Sequence, residues 1–148
     1  MWVLGRICLI QALGATKAMQ ILSVYASLLA LIFVALSVRT LRLRKRLKIA
    51  IGDAGDSRML RAMRVHSNFA EYVPFALLML YLVETSAATP ILVHGLGLCL
   101  LVGRLSHAFG VSRDNEQYQY RVAGMVLTFA VFLVSSVYLL FVAALGGT

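Results

Sequence analysis

The chain has 148 residues, 61% of them apolar, with a mean hydropathy of +0.87 and a formal net charge of +8. That apolar share lies far above the soluble average and excludes an ordinary soluble domain, while the length suits one membrane domain. The two cysteines, Cys8 and Cys99, stand in apolar sequence without CxxC or metal-ligand spacing, so neither a disulfide framework nor a metal site is expected and both read as packing residues.

In chain order, "MWVLGRICLIQALGATKA", residues 1–18, has an apolar stretch too short to span a bilayer and lacks the basic start of a signal peptide. It reads either as an interfacial segment or as an upstream extension of a chain whose natural start is Met19; residues 19–148 form the membrane domain. Four apolar runs follow, approximately 20–38, 69–86, 91–109 and 124–145. A hydrocarbon core needs about 20 helical residues, and a spanning segment must satisfy its backbone hydrogen bonds internally. The runs lack the alternation of barrel strands, so the expected fold class is all-α, an integral membrane four-helix bundle. The linker "IGDAGDS", residues 51–57, separates a basic run from the second helix.

Of the 14 Lys and Arg residues, nine lie between positions 39 and 64, and Arg104, Arg113 and Arg121 flank the connection between the third and fourth runs. The connection "ETSAATP" between the second and third has none. The positive-inside rule then puts the first and third connections in the cytoplasm and both termini on the other side. A nucleic-acid partner is not expected, because "RTLRLRKRLK" continues directly from a spanning helix, where a polybasic run meets lipid headgroups.

The stretch "RMLRAMRVHSNFAEYVPFALLMLYLVE" carries Arg61, Arg64, Asn68 and Glu71 into the start of the second apolar run. At about 100° per residue these four fall within an arc of roughly 80°, and His66 falls away from it. Guanidinium groups offer planar forks to carboxylates and a glutamate accepts from an ammonium, so the stripe suits a zwitterionic, multiply charged ligand. A purely structural alternative is an internal ion pair of Arg64 with Glu71 through Asn68; ionisable groups in membrane segments, however, face the bundle interior and mark functional sites. Glu84, beside a polar connection, reads as a solvated cap. Arg104 and His107 share a face of the third helix in "VGRLSHAFG", and Arg121 opens the fourth. Tyr72, Tyr118, Tyr120 and Phe109 read as interfacial belt residues.

The pattern Arg64-x-x-x-Asn68-x-x-Glu71-x-x-Pro74, preceded by "LRLRKR" and followed by "GRLSH" and an arginine at the start of the fourth helix, resembles the MAPEG family, the membrane-associated proteins in eicosanoid and glutathione metabolism. The resemblance covers about residues 19–145 and is greatest to the family's bacterial inner-membrane branch. It implies a homotrimer of four-helix protomers that binds glutathione as cosubstrate between neighbours near the cytoplasmic side. Carried over by position, Asn68 and Glu71 hold the peptide's polar ends, Glu71 taking the ammonium. Arg42 is a first-helix arginine near the site, His107 a third-helix contact, and Arg121 the catalytic arginine close to the thiol. Arg64 and Arg104 match further arginines of the family's pattern. Ser67 stands where several members have another glutathione-contacting arginine. Val122 and Met125 stand where the family's prostaglandin synthase has a serine and a tyrosine facing the thiol, which argues against isomerase chemistry.

The function so implied is that of a glutathione transferase or peroxidase acting on lipophilic electrophiles from the bilayer. Two alternatives stay open: a small multidrug-type transporter using Glu71 as a proton and drug site, and a MAPEG-like binding module without turnover. Arginines on the face of Glu71 disfavour a site for cationic drugs.

Overall fold

The computed structural model describes residues 2–86, 88–113 and 117–146, with side chains from Ile21 onward. The two readings of residues 1–18 and the packing of Cys8 lie outside the described side chains. Among the described residues the chain is all helical: α1 (Trp2–Leu47), α2 (Ser57–Thr85), α3 (Pro90–Ser112) and α4 (Tyr118–Gly146).

Local chemistry sets the helix ends. α1 stops where Lys48 turns left-handed at φ 55°, and the Ile49 amide donates back to the Arg44 carbonyl at 3.1 Å, a Schellman-type closure. Gly52 and Gly55 also take positive φ in the linker, and the Arg44 guanidinium donates to the Gly52 carbonyl at 3.1 Å, folding the loop back on α1. Asp56 caps α2, its carboxylate accepting from the Arg58 and Met59 amides at 2.9 and 3.2 Å. A hydrogen bond and ion pair with the Arg58 side chain, joined by those amides, hold the Asp56 carboxyl down at about 2. α3 opens with Pro90 in its first turn, where a missing amide donor costs nothing.

Ile21–Leu47, α3 and α4 are long and apolar enough to cross a membrane. Four spanning runs are expected from the sequence; α2 falls short of this standard because Arg58, Arg61, Arg64, Asn68 and Glu71 are built into its first half. It also begins well before the expected run, since the helix starts at its Asp56 cap and not where apolarity begins.

α2 and α3 pack on each other and on both remaining helices, whereas α1 and α4 do not meet among the described residues. The apolar core comprises Leu29 of α1, Phe69, Val73, Ala76, Leu80 and Val83 of α2, Val93, Leu96 and Leu100 of α3, and Val131 of α4. Cys99 packs against it as a free thiol.

The most extensive helix pair is α3 with α4, and it closes through glycine. A Cβ on Gly124 would stand 2.5 Å from the Gly103 carbonyl oxygen and 2.6 Å from the His107 amide nitrogen; one on Gly110 would stand 2.7 Å from the Arg121 amide nitrogen. Backbones approach this closely only where small residues line the seam.

One expectation is corrected. Glu84 is not a solvated cap: it shares the face of Leu80, is only 4% exposed, and its Oε1 accepts from the Leu22 amide of α1 at 3.4 Å. Tyr72 is half-buried against α4, its ring 5.8 Å from that of Phe129 and 6.4 Å from that of Phe132. Tyr118, Tyr120 and Phe109 do lie exposed.

Candidate functional site

The stripe foreseen on α2 lines a cavity of about 480 Å³. Arg61, Arg64, Asn68 and Glu71 form one wall, joined by Ser57, Leu60 and Ser67; His107 and Val111 come from α3 and Arg121 from α4. Five residues carried over by resemblance, Arg64, Asn68, Glu71, His107 and Arg121, therefore meet in one cavity, contributed by three helices.

Helix periodicity explains the wall and also the members that sequence reading passed over. Ser57 and Leu60 extend the arc of Arg61 and Arg64 by one turn toward the Asp56 cap, and Val111 lies one turn beyond His107 on α3. The 3.6-residue repeat was the available signal. The glycine seam sets the third side: Gly110 approaches the Arg121 backbone and Gly124 approaches the backbone of His107, which fixes these two functional side chains relative to each other.

Arg104, also carried over by resemblance, does not line the cavity. It is 1% exposed and stands behind the wall. Its Nη1 donates to Asn68 Oδ1 at 2.8 Å, its Nη2 to Thr128 Oγ1 at 2.6 Å and to the Gly124 carbonyl at 3.3 Å, and its guanidinium lies 5.6 Å from the centre of the Tyr72 ring. One side chain thereby ties α2, α3 and α4 together. Because Arg104 occupies the Asn68 oxygen, the Asn68 amide nitrogen is left to donate into the cavity. Thr128, the acceptor on α4, was missed in the sequence; a hydroxyl seven residues past Arg121 in an apolar run was its signal.

Arg42, the remaining carried-over residue, is elsewhere. It lines a second cavity of about 390 Å³ formed by Arg39, Arg42, Leu43 and Arg46 of α1, Arg58 and Arg61 of α2, and Ser112 of α3. Arg61 lines both cavities. His66 faces α1, as its position off the stripe implies: its Nε2 lies 3.0 Å from Ser37 Oγ and its ring stacks on Phe33.

The internal ion pair weighed for Arg64 and Glu71 is absent, and neither has a hydrogen-bonding or ionic partner among the described residues. Val122 and Met125 do not line the first cavity, and the Met125 sulfur accepts from Arg104 at 3.5 Å. The cavity thus offers three guanidinium groups, one amide, one imidazole and one carboxylate. It complements a flexible ligand with more than one carboxylate and one ammonium group. No cluster of three or more His, Cys, Asp or Glu side chains suited to a metal occurs among the described residues.

The chain is 35% identical over 111 residues to the inner membrane protein YecN of Escherichia coli strain K12, a match covering 75% of this chain and 83% of that protein. The YecN of Escherichia coli O6:H1 strain CFT073 matches to the same extent. The model of the MAPEG family matches residues 22–141, which include every residue of both cavities, and the chain belongs to the MAPEG family.

Proposed function

We propose that the chain is a glutathione-binding protein of the bacterial inner membrane, a transferase or peroxidase that uses a glutathione thiolate against lipophilic electrophiles entering from the bilayer. In this reading it works as a homotrimer, with the α1–α2 and α3–α4 connections in the cytoplasm. The observation that carries it is the convergence of Arg64, Asn68, Glu71, His107 and Arg121 on one cavity of about 480 Å³. That size lies within the range typical of small-molecule sites. The family membership supports glutathione as the ligand, and the name of the YecN relative supports the inner membrane.

Each side chain has a task set by its chemistry. Glu71 accepts from the ligand's ammonium, and Arg61 and Arg64 hold its carboxylates. Asn68, oriented from behind by Arg104, donates its amide. Arg121 stands as the cation for the sulfur. An opposite charge within about 4–6 Å commonly lowers a pKa by 1–3, which favours the reactive thiolate near neutral pH. In conjugation the thiolate sulfur forms a bond to the electrophilic carbon, the leaving group departs with its bonding pair, and the thiol proton passes to solvent.

The test uses detergent-purified protein. Bound glutathione is expected to show thiolate absorbance near neutral pH, and Arg121→Leu to abolish it while leaving much of the peptide binding intact. Conjugation of a model aryl halide should follow the absorbance in both proteins. Binding without a thiolate overturns the transferase reading in favour of a module without turnover; absence of binding overturns the glutathione reading itself.

A further inference from the structure

The first cavity holds a proton donor that thiolate conjugation does not use. When an aryl halide is attacked, the halide departs as a stable anion and needs no acid. A hydroperoxide differs, because the alkoxide released when the O–O bond breaks is strongly basic and departs readily only if a proton reaches it in the transition state. Among the side chains lining the cavity, His107 alone carries a group of the type that gives and takes a proton near neutral pH without being needed to hold charge on the ligand. Guanidinium groups do not give up a proton in proteins, and serine hydroxyls and the Asn68 amide do not ionise in this range. Glu71 is engaged by the ligand's ammonium.

The position of His107 fits that task. Gly110 approaches the backbone of Arg121 and Gly124 that of His107, so along the α3–α4 seam the two side chains stand one helical turn apart, about 5 Å of rise. Arg121 is nearer the α3–α4 connection and His107 nearer the middle of α3. A lipophilic hydroperoxide arriving from the bilayer, with the sulfur held at Arg121, extends its alkyl chain away from that connection, on the side of His107. Sulfur, terminal oxygen and inner oxygen react in line, so the leaving oxygen falls toward His107. The imidazole is only 6% exposed, which limits competition from bulk water. Arg61, Arg64 and Glu71 of α2 and Arg121 of α4 share the cavity with it, and Arg104 lies one turn away on its own helix. The two carboxylates and the thiolate of bound glutathione largely offset those guanidinium charges.

We propose that His107 is the general acid of a peroxidase reaction at this site and that its substrate is a lipid hydroperoxide. The thiolate sulfur forms a bond to the terminal peroxide oxygen. The O–O bond breaks with its electron pair going to the inner oxygen, which takes the proton from His107, leaving an alcohol and a glutathione sulfenic acid. The peroxide is reduced and the sulfur oxidised by two electrons. A second glutathione thiolate then displaces hydroxide from the sulfenic sulfur, the hydroxide leaving as water with a proton from solvent, to give the disulfide. Solvent also returns the proton to the imidazole. The proposal rests on glutathione as the ligand of this cavity.

The test uses detergent-purified full-length protein with glutathione, assayed for conjugation of a model aryl halide and for reduction of cumene hydroperoxide; the quantity read is the ratio of the second kcat/KM to the first. His107→Gln keeps a polar side chain without a transferable proton. General acid catalysis contributes about 10²–10⁴-fold, so the ratio should fall at least about a hundredfold in His107→Gln, whatever His107 adds to glutathione binding. In the parent chain the ratio should also fall as pH rises across the imidazole range, because the acid form is used up while conjugation needs only the thiolate. Equal loss of both activities in His107→Gln would make His107 a binding contact and overturn the proposal, and so would a parent ratio that stays flat or rises with pH. Should the variant not fold, the parent ratio decides the matter. A parent chain that conjugates the aryl halide but reduces no hydroperoxide overturns this proposal and leaves the glutathione reading standing, whereas a chain that binds no glutathione overturns both.

Discussion

Arg104 carries a charge into the bundle with no carboxylate beside it, and its hydrogen bonds go instead to Asn68, Thr128 and a backbone carbonyl. A buried cation so held depends on every acceptor, since one left unsatisfied exposes the full desolvation penalty. Thr128 accepts from Arg104 and donates to the Gly124 carbonyl at 2.9 Å, so Thr128→Val, close in shape, should destabilise the protein by about 1–3 kcal/mol in reversible detergent unfolding. Thr128→Ser, which keeps the hydroxyl, should lose much less; equal losses would mean that packing and not hydrogen bonding is at stake. At the cavity, Glu71→Gln should weaken glutathione binding by roughly 1.5–3 kcal/mol, the range for a charge-assisted hydrogen bond, and should affect a des-amino analogue much less. Equal loss for both ligands would assign Glu71 a structural part. The residue types of the first cavity were legible in the sequence, because Arg64, Asn68 and Glu71 share one helix and need only its periodicity to line up. The partner of Arg104 on α4 was not, because a threonine in an apolar run looks the same whether it back-bonds within its own helix or serves another.

Among the elements, the α3–α4 seam decides where two of the site's side chains stand. Gly124→Ala would place a methyl against the backbone of α3, which no rotamer change relieves, so the helices must separate. The expected cost is about 1–3 kcal/mol, as for overpacking elsewhere, together with weaker glutathione binding because His107 and Arg121 move apart. Gly95→Ala, at a helical position with open space around it, is the control. It should stabilise α3 by roughly 0.5–1 kcal/mol and leave binding unchanged. If both substitutions behave alike, the glycine contact does not set the site. The approximate places of α3 and α4 followed from apolar run length, whereas α1 extends beyond its run of about 20–38 at both ends and the start of α2 followed from the Asp56 cap, which a search for apolarity passes over.

For the whole molecule, the proposed topology makes a prediction that needs no ligand. In a variant lacking Cys8 and Cys99, a single cysteine replacing Ala54 in the α1–α2 connection should be labelled by a membrane-impermeant thiol reagent only after the inner membrane is opened. Labelling of intact cells with only the outer membrane permeabilised would refute a cytoplasmic connection.

Composition by itself determined that this is a helical membrane protein, since the free energy of moving a helix into hydrocarbon is a property of its own residues. The sequence likewise determined the stripe on α2, because a helix lays residues on one face by local geometry alone. Only the tertiary structure decided that His107 and Arg121 face that stripe, that Arg104 lies behind Asn68, that Arg42 belongs to a second cavity, and that Glu84 is buried against α1. Each of these depends on the rotation and axial offset of one helix against another. Those quantities are set by where backbones approach closely, at Gly103, Gly110 and Gly124, and by which side chains fill the space between, and no periodicity within a single helix encodes them.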